Sequence, residues 1–482
     1  MSVDCVFTKY AGPVKCFDQF FPDLGLAYLS SALKQQGYTR ELFDLDLLEN
    51  SVKDLLDYLG RYKPSILAVK LLRPGFLGLI KIVEEAKKIS PTTLIIGGGP
   101  HARLCQETIL EFTNAFDALL VGESDRAITQ MIEVAHGERD LRDVENVVFR
   151  DENGNLAKKP ISVIHNLDEL PLPDWGLYDL ERYLPVLLIS ARRGCPFRCA
   201  FCNCNYIRAS RKRSLQSLQQ EILHCIDQYG IRLFGLADPL PDIKLTNQLC
   251  DWLIDSKTIT RWTSFGRIKY MDRILEKMAR AGWVALWFGI ESGSEKILRR
   301  MNKFHTVEDI RGTINAVQKA GIKRMAGFIM GFPGEDESTL AETFRLSQEL
   351  PLDGFIFSPF VLVPGSTVAE IPENYGVKPH EDWTKVYTYA SNLRDTPYFD
   401  IDGEDNVAML KRFNPLIHNA YKKYRHYRLI DVSDYAELIA SVMEGMSAED
   451  ILWETDALLN SKNVRGWNAF LSRVWRATEN IS

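Results

Sequence analysis

The sequence predicts an α/β chain in three parts: an N-terminal doubly wound parallel sheet, a partial (β/α)6 barrel and a helical C-terminal domain. Three observations lead there. Over about the first 130 residues, short β-branched runs alternate with helical periodicity. The alternation resumes in longer units from Leu184 to about Gly365, where six strand-helix repeats can be counted, and the remainder is helical and free of motifs. With 482 residues the chain also exceeds the size at which a single core stops growing.

In the first part, strands are expected at residues 3–7, 41–46, 65–72, 93–96 and 118–121. Leu26, Leu29 and Leu33 recur at helical spacing up to Gly37, which stops the helix. Ile80, Val83 and Ala86, followed by Lys87 and Lys88, mark a helix that ends before Pro91. Residues 141–183 read as a bridge: a hairpin around Asn153-Gly154, then an extended linker containing Pro171 and Pro173. These features set the first domain at 1–140, the barrel at 184–379 and the C-terminal cap at 380–482.

The barrel strands are expected at 186–190, 233–237, 262–265, 284–290, 325–330 and 355–361. Leu215, Leu218, Ile222, Cys225 and Tyr229 line one apolar helix face, which makes Cys225 a core residue. Thr306 to Asp309 opens another helix as a capping box, closed at Gly321. In the cap, most of Tyr387, Tyr389, Tyr421, Tyr424, Tyr427, Trp453, Trp467 and Trp475 should be core, with a few available to a lid over the barrel mouth.

Charge and cysteine usage narrow the function classes. Lys and Arg total 58 against 64 Asp and Glu, with no long basic run, which argues against nucleic acid as the main partner. Nine unevenly spaced cysteines behind a start that is not signal-like point to a cytoplasmic setting, where thiols serve metals and not disulfides. No apolar run approaches the length of a membrane span.

The chemistry concentrates in Arg193-Gly194-Cys195-Pro196-Phe197-Arg198-Cys199-Ala200-Phe201-Cys202. Three thiols within eight residues, on a tight turn after an apolar run, form a metal-binding loop. A 4Fe-4S cluster normally takes four cysteines, so three would leave one iron open to bind and polarise a ligand. The alternative is a structural zinc with Cys204 as fourth ligand. Only one residue separates Cys202 from Cys204, whereas zinc knuckles pair ligands across two to four, which leaves Cys204 a bystander.

The spacing Cys-x3-Cys-x2-Cys, with Phe201 before the last cysteine, resembles the radical S-adenosylmethionine (SAM) superfamily. The resemblance implies that Cys195, Cys199 and Cys202 hold a 4Fe-4S cluster, and that SAM is met by Phe201 and by groups at successive strand ends. Asp238 would face the SAM amino group, Arg267 its carboxylate, and Glu291 and Ser292 the ribose, while the turn Gly331 to Gly334 leaves room for adenine. Upstream, LGLAYLSSALKQQGY, GGGPHA and DALLVGES look like the cobalamin-binding domain of cobalamin-dependent radical SAM enzymes.

That second resemblance implies a flavodoxin-like domain whose corrinoid is lined by Gly98, Gly99, His101, Gly122 and Glu123. Read alone, His101 is a surface residue. No D-x-H-x-x-G pattern occurs, so cobalt would lack a protein histidine below. Phe17, Phe20 and Phe21 could shield the lower corrin face or simply be core, and Lys70 and Arg73 would face the ligand or its phosphate. The implied enzyme is a methyltransferase that moves methyl from methylcobalamin to an unactivated carbon of a small-molecule metabolite, fed by an electron donor such as flavodoxin or ferredoxin. Two alternatives stay open: a radical SAM dehydratase, cyclase or rearranging enzyme whose cobalamin-like domain is empty or only relays electrons, and a zinc-stabilised module without turnover. The substrate-contacting residue and the oligomeric state are left open.

Overall fold

The computed structural model describes residues 3–13, 17–204, 210–390, 392–421, 434–479 and 481, with residues 17, 18, 417–421 and 434 described by backbone alone. The chain divides into two units, one of residues 1–184, 384–391 and 458–471, the other of 185–383, 392–457 and 472–482.

In the first unit, β1 (Cys5–Lys9), β2 (Arg40–Asp44), β3 (Ile66–Lys70), β4 (Leu94–Gly98) and β5 (Ala118–Leu120) form a parallel sheet in the order β2-β1-β3-β4-β5. This is a doubly wound order whose connections reverse between β1 and β3, opening a crevice at their C-terminal ends. All of β1 and most of β3 are buried, as sheets covered by helices on both faces require. The helix Leu24–Gln35 runs up to the turn at Gly37 and the helix Phe76–Ile89 ends before Pro91, where leucine spacing and proline place them.

The hairpin does more than bridge. Its strands β6 (Val147–Arg150) and β7 (Leu156–Lys158) extend the sheet antiparallel beyond β5, with Leu119 opposite Val148. They cover an edge that β5 would otherwise leave open.

In the second unit, β8 (Val186–Ile189) is followed by a short antiparallel pair, β9 (Arg192–Arg193) and β10 (Arg211–Lys212). Then come β11 (Leu233–Leu236), β12 (Arg261–Gly266), β13 (Trp283–Glu291), β14 (Lys323–Met330) and β15 (Gly354–Pro359). The six long strands are parallel and lie in sequence order, with β8 and β15 at the two ends of the sheet, as a partial barrel requires. One face is built on a stack of Phe234, Trp262 and Trp283, with ring centroids 4.9 and 5.1 Å apart. Both indole N–H groups of the stack are satisfied, Trp262 by Thr260 at 2.7 Å and Trp283 by Ser264 at 3.1 Å. Successive residues point to opposite faces. Gly235, next along from Phe234, accordingly meets Tyr435 of the helix Asp434–Ala440, which packs on β11, β12 and β13.

The C-terminal part is helical, through Asn406–Tyr421, Asp434–Ala440, Ala448–Asn460 and Val464–Glu479. It is not one piece, because residues 458–471 belong to the first unit, where Trp467 packs on Phe20 at 4.4 Å. A small sheet of β16 (Val377–Pro379), β17 (Phe399–Ile401) and β18 (Glu404–Asp405), absent from the sequence reading, precedes the helices. Trp453 is exposed, not core. Tyr424 and Tyr427 lie outside the described residues, as does the side chain of Tyr421. Among the described residues, no helix is long and apolar enough to cross a membrane.

Candidate cofactor sites at the strand ends

The cysteine loop follows β8 and β9, at the C-terminal rim of the six-stranded sheet. Cys195, Cys199 and Cys202 are free and partly buried. The Cys202 N–H closes a turn on the Cys199 carbonyl at 3.0 Å. Three further bonds tie the loop down: Ala200 N–H to Met301 O at 2.9 Å, Asn302 Nδ2 to Arg198 O at 2.6 Å, and Val368 N–H to Ala200 O at 3.1 Å. The Arg267 guanidinium lies over the Phe197 ring, 3.5 Å from its centroid.

Burial pushes the Cys195 thiol up, and the neighbouring Cys199 and Cys202 push it further. Cys202 is raised by its interaction with the Cys204 side chain and by burial. Cys204 is exposed, and its N–H donates to Cys202 Sγ at 3.4 Å. Among the described residues, no three His, Cys, Asp or Glu side chains are arranged as ligands of one metal ion.

The other predicted groups do fall at successive strand ends, though the structure uses them unequally. Asp238, two residues past β11, is fully buried; its Oδ1 accepts the backbone N–H groups of Ala191 and Arg192, each at 2.8 Å. Among the described residues its Oδ2 finds no partner, and burial pushes the carboxyl up to about 8. Glu291 ends β13 with φ +69°, a left-handed backbone that costs a non-glycine residue roughly 1–2 kcal/mol. Strain of this kind collects at functional sites. Lys303 Nζ meets Glu291 Oε1 at 3.0 Å and stands 5.7 Å from the centroid of the Phe201 ring.

Ser292 is buried, with its hydroxyl 3.0 Å from that of Thr343 and accepting the Ser294 N–H at 3.1 Å, so within this chain it serves the turn. The turn at Gly331 differs from expectation. The space beside Gly331 Cα is filled by Met409 and that beside Gly334 by Arg300. Sequence reasoning also missed Lys303, although a lysine between Met301 and Phe304, shortly after a Gly-Ile-Glu strand end, was a visible oddity.

At the C-terminal ends of β3 and β4, the three glycines have three different jobs. A side chain at Gly97 would collide with Leu119 and Leu71 at 2.6 and 2.7 Å, so this glycine serves core packing. At Gly98 the nearest atom would be Leu120 O at 3.8 Å, which leaves the backbone open to a ligand. Gly99 has φ +97° and ψ −172°, a conformation essentially confined to glycine. Gly122 leaves room for the Asn146 amide, and Glu123 accepts the Ile164 N–H at 2.7 Å.

His101 is not at the surface. It is 2% exposed, beside Phe76 at 5.1 Å and Tyr387 at 6.1 Å, with neither ring nitrogen hydrogen-bonded among the described residues. Burial, with Arg73 nearby, pushes its pKa down to about 4, so the ring is neutral at neutral pH. Lys70 and Arg73 are likewise turned to the protein's own use. Lys70 pairs with Asp23, and Arg73 donates to the Tyr387 and Ala390 carbonyls, each at 2.8 Å. Phe20 and Phe21 are core residues, and the side chain of Phe17 lies outside the described residues.

Two family models match this arrangement. The B12 binding domain matches residues 11–132, and the radical SAM superfamily matches residues 189–347. The chain carries a B12-binding domain and a radical SAM domain. An uncharacterized methyltransferase of Pyrococcus horikoshii is 24% identical over 377 residues, 76% of this chain and 82% of that protein. An anaerobic magnesium-protoporphyrin IX monomethyl ester cyclase of Rubrivivax gelatinosus is 27% identical over 412 residues, 81% of this chain and 72% of that one. The fold of the radical SAM methyltransferase TsrM from Kitasatospora setae, solved with tryptophan and a SAM analogue, superposes with a TM-score of 0.72 at 16% identity, covering 98% and 99% of the two chains.

The radical SAM domain implies a 4Fe-4S cluster and SAM, and the B12-binding domain implies cobalamin. The residues present suit both. Three soft thiols anchored at a strand-end rim are a donor set for iron-sulfur chemistry with one ligand short. The C-terminal ends of the parallel strands, with the open backbone of Gly98 at the end of β4, suit a bulky nucleotide-tailed ligand.

Proposed function

We propose that this chain is a cobalamin-dependent radical SAM methyltransferase acting on an unactivated carbon of a small-molecule metabolite. When bound, the cofactors would supply an electron and an open iron to SAM, the 5'-deoxyadenosyl radical that takes hydrogen from substrate, and the methyl group that replaces it. The chain's own residues would hold and orient. The thiolates of Cys195, Cys199 and Cys202 ligate the cluster, giving up their protons as they do. Arg267, stacked on Phe197 within the cysteine loop, offers a guanidinium to the SAM carboxylate. Glu291 accepts the ribose hydroxyls, Asp238 turns its unpartnered Oδ2 to the ammonium, Phe201 offers its ring, and Ser292 fixes the turn that carries Glu291. Gly98, Gly99, His101 and Gly122-Glu123 border the corrinoid, His101 as a buried neutral ring. A one-electron donor such as flavodoxin or ferredoxin would supply reducing equivalents.

What supports this reading most is the pairing, in one chain, of a three-thiol loop at the rim of a parallel barrel with a doubly wound domain of B12-binding type. The test is anaerobic reconstitution with iron, sulfide and hydroxocobalamin. The reading expects iron near four per chain, stoichiometric corrinoid, and 5'-deoxyadenosine on reduction with SAM. Zinc in place of iron, or no SAM cleavage, overturns it. A second reading, radical cyclisation, is favoured by the 27% identity to the cyclase. Mass analysis of the product separates the two, since only methyl transfer adds a methylene to the substrate's mass.

A further inference from the structure

Alternation along the strands divides the six-stranded sheet into two faces. Phe288 pairs with Gly266 and Ala326, and Phe328, two residues beyond Ala326, pairs with Phe357. These residues share one face with Trp262, and there Phe344 of the helix Glu337–Glu349 packs on Phe357 at 4.9 Å. The large rings of this face are buried, and Phe234, Trp262, Trp283, Phe328 and Phe357 each stack on or abut another ring.

The opposite face is built differently. Its lower part is closed by the helix Asp434–Ala440, whose Tyr435 lies beside Gly235. Gly235 pairs with Thr263. Two residues further towards the rim, a rise of about 7 Å, Phe265 pairs with Trp287. Phe265 is 48% exposed and Trp287 is partly exposed. Among the described residues, neither ring has an aromatic partner. A side chain at Gly327 would touch only Trp287 Nε1, at 3.5 Å, so the space over β14 is open. Phe265, Trp287, Met325, Gly327 and Ile356 carry this level of the face, and none is charged. Above it stand the groups assigned to SAM, with Arg267 two residues beyond Phe265 and Glu291 four beyond Trp287. An apolar level with two open rings therefore lies between a helix below and the cofactor rim above, the composition of a small-molecule site.

We infer that this face is the substrate wall, and that the substrate is a neutral molecule with a flat aromatic ring, which stacks on Phe265 and Trp287 and turns its reacting carbon towards the rim. Aromatic pairs gain from ring geometry beyond the area they bury, which an aliphatic occupant would forgo. A cation would also suit the two rings. It would meet the Arg267 guanidinium at the next step of the same strand face, so a neutral ring fits better. That the occupant is the substrate rests on the radical SAM reading of the rim.

Equilibrium dialysis against the reconstituted holoenzyme tests it, with 2-naphthol as the flat probe and decahydro-2-naphthol, its saturated counterpart, as the control. Both are neutral at neutral pH and share one carbon skeleton. The wild type should bind the flat probe about fivefold more tightly or better. Phe265→Leu and Trp287→Leu keep the wall apolar. Each should weaken 2-naphthol roughly two- to tenfold, leave the saturated probe within about twofold, and leave iron content and SAM affinity as in the wild type. The double variant should lose the preference altogether. Equal affinity of the wild type for the two probes, variants that keep the preference, or variants that weaken both probes alike overturn the inference. A wild-type chain that holds no iron or cleaves no SAM overturns instead the radical SAM reading. The dialysis distinguishes the two failures because it needs no turnover, and Cys199→Ala, without its cluster, should still prefer the flat ring.

Discussion

Gly98→Ala is the substitution that separates a ligand's demand on the glycine turn from the protein's own. The added methyl would find Leu120 O at 3.8 Å as its nearest neighbour, an ordinary contact. The backbone there is not left-handed, so unfolding free energy should stay within about 0.5 kcal/mol of wild type. The neighbours behave otherwise. Gly97→Ala drives a methyl into Leu119 and Leu71 at 2.6 and 2.7 Å. Overpacking of that kind costs about 1–3 kcal/mol. Gly99→Ala forces φ +97° on an alanine, at a cost of about 1–3 kcal/mol. If the corrinoid rests on this turn, the Gly98 methyl occupies its contact surface, and a misfit of about 1–3 kcal/mol weakens binding roughly five- to 150-fold. Hydroxocobalamin titration by equilibrium dialysis, alongside thermal unfolding, reads both quantities. Wild-type cobalamin affinity in Gly98→Ala would refute the placement of the ligand, and a destabilised Gly98→Ala would refute the packing argument.

Other expectations concern the thiols, the barrel and the buried histidine. Cys199→Ala should lose the iron on reconstitution while Cys204→Ala keeps it, as iron and sulfide analysis will show. Gly282→Ala, where φ is +102° and a methyl would overlap Thr260 O at the start of β12, should destabilise the barrel by about 3 kcal/mol or more in denaturant titration. For His101 the folded pKa is near 4 against 6.5 for the free group. The unfolded chain therefore takes up a proton between those values that the folded chain refuses, and stability falls as pH drops from 6.5 towards 4. His101→Phe, suited to its place beside Phe76, should flatten this part of the acid profile measured by thermal unfolding.

Much of the architecture was legible because parallel strands buried on both faces write themselves as continuous β-branched runs. The reading placed β3, β5 and β14 within two residues of their ends, and the cysteine loop announced itself by spacing. What stayed hidden depends on partners distant in sequence. Nothing local to Val147–Arg150 says that it will pair with β5, and nothing near Trp467 says that it will pack on Phe20. Charge misled for the same reason. Lys70 and Arg73 look like ligand contacts until Asp23 and the carbonyls of Tyr387 and Ala390 are seen to satisfy them. The glycines at 331 and 334 look like space for adenine until Met409 and Arg300 fill it.

The three bonds from Met301, Asn302 and Val368 to the cysteine loop have a bearing on assembly. Small zinc modules are unfolded until their ion arrives, because no other force closes the chain around it. Here the mould is set before the casting: hydrogen bonds from two segments remote in sequence and a core of stacked tryptophans do the shaping. Iron and sulfide would then be delivered to a finished scaffold, and oxygen damage to the inorganic part would leave a protein that can be refilled without refolding.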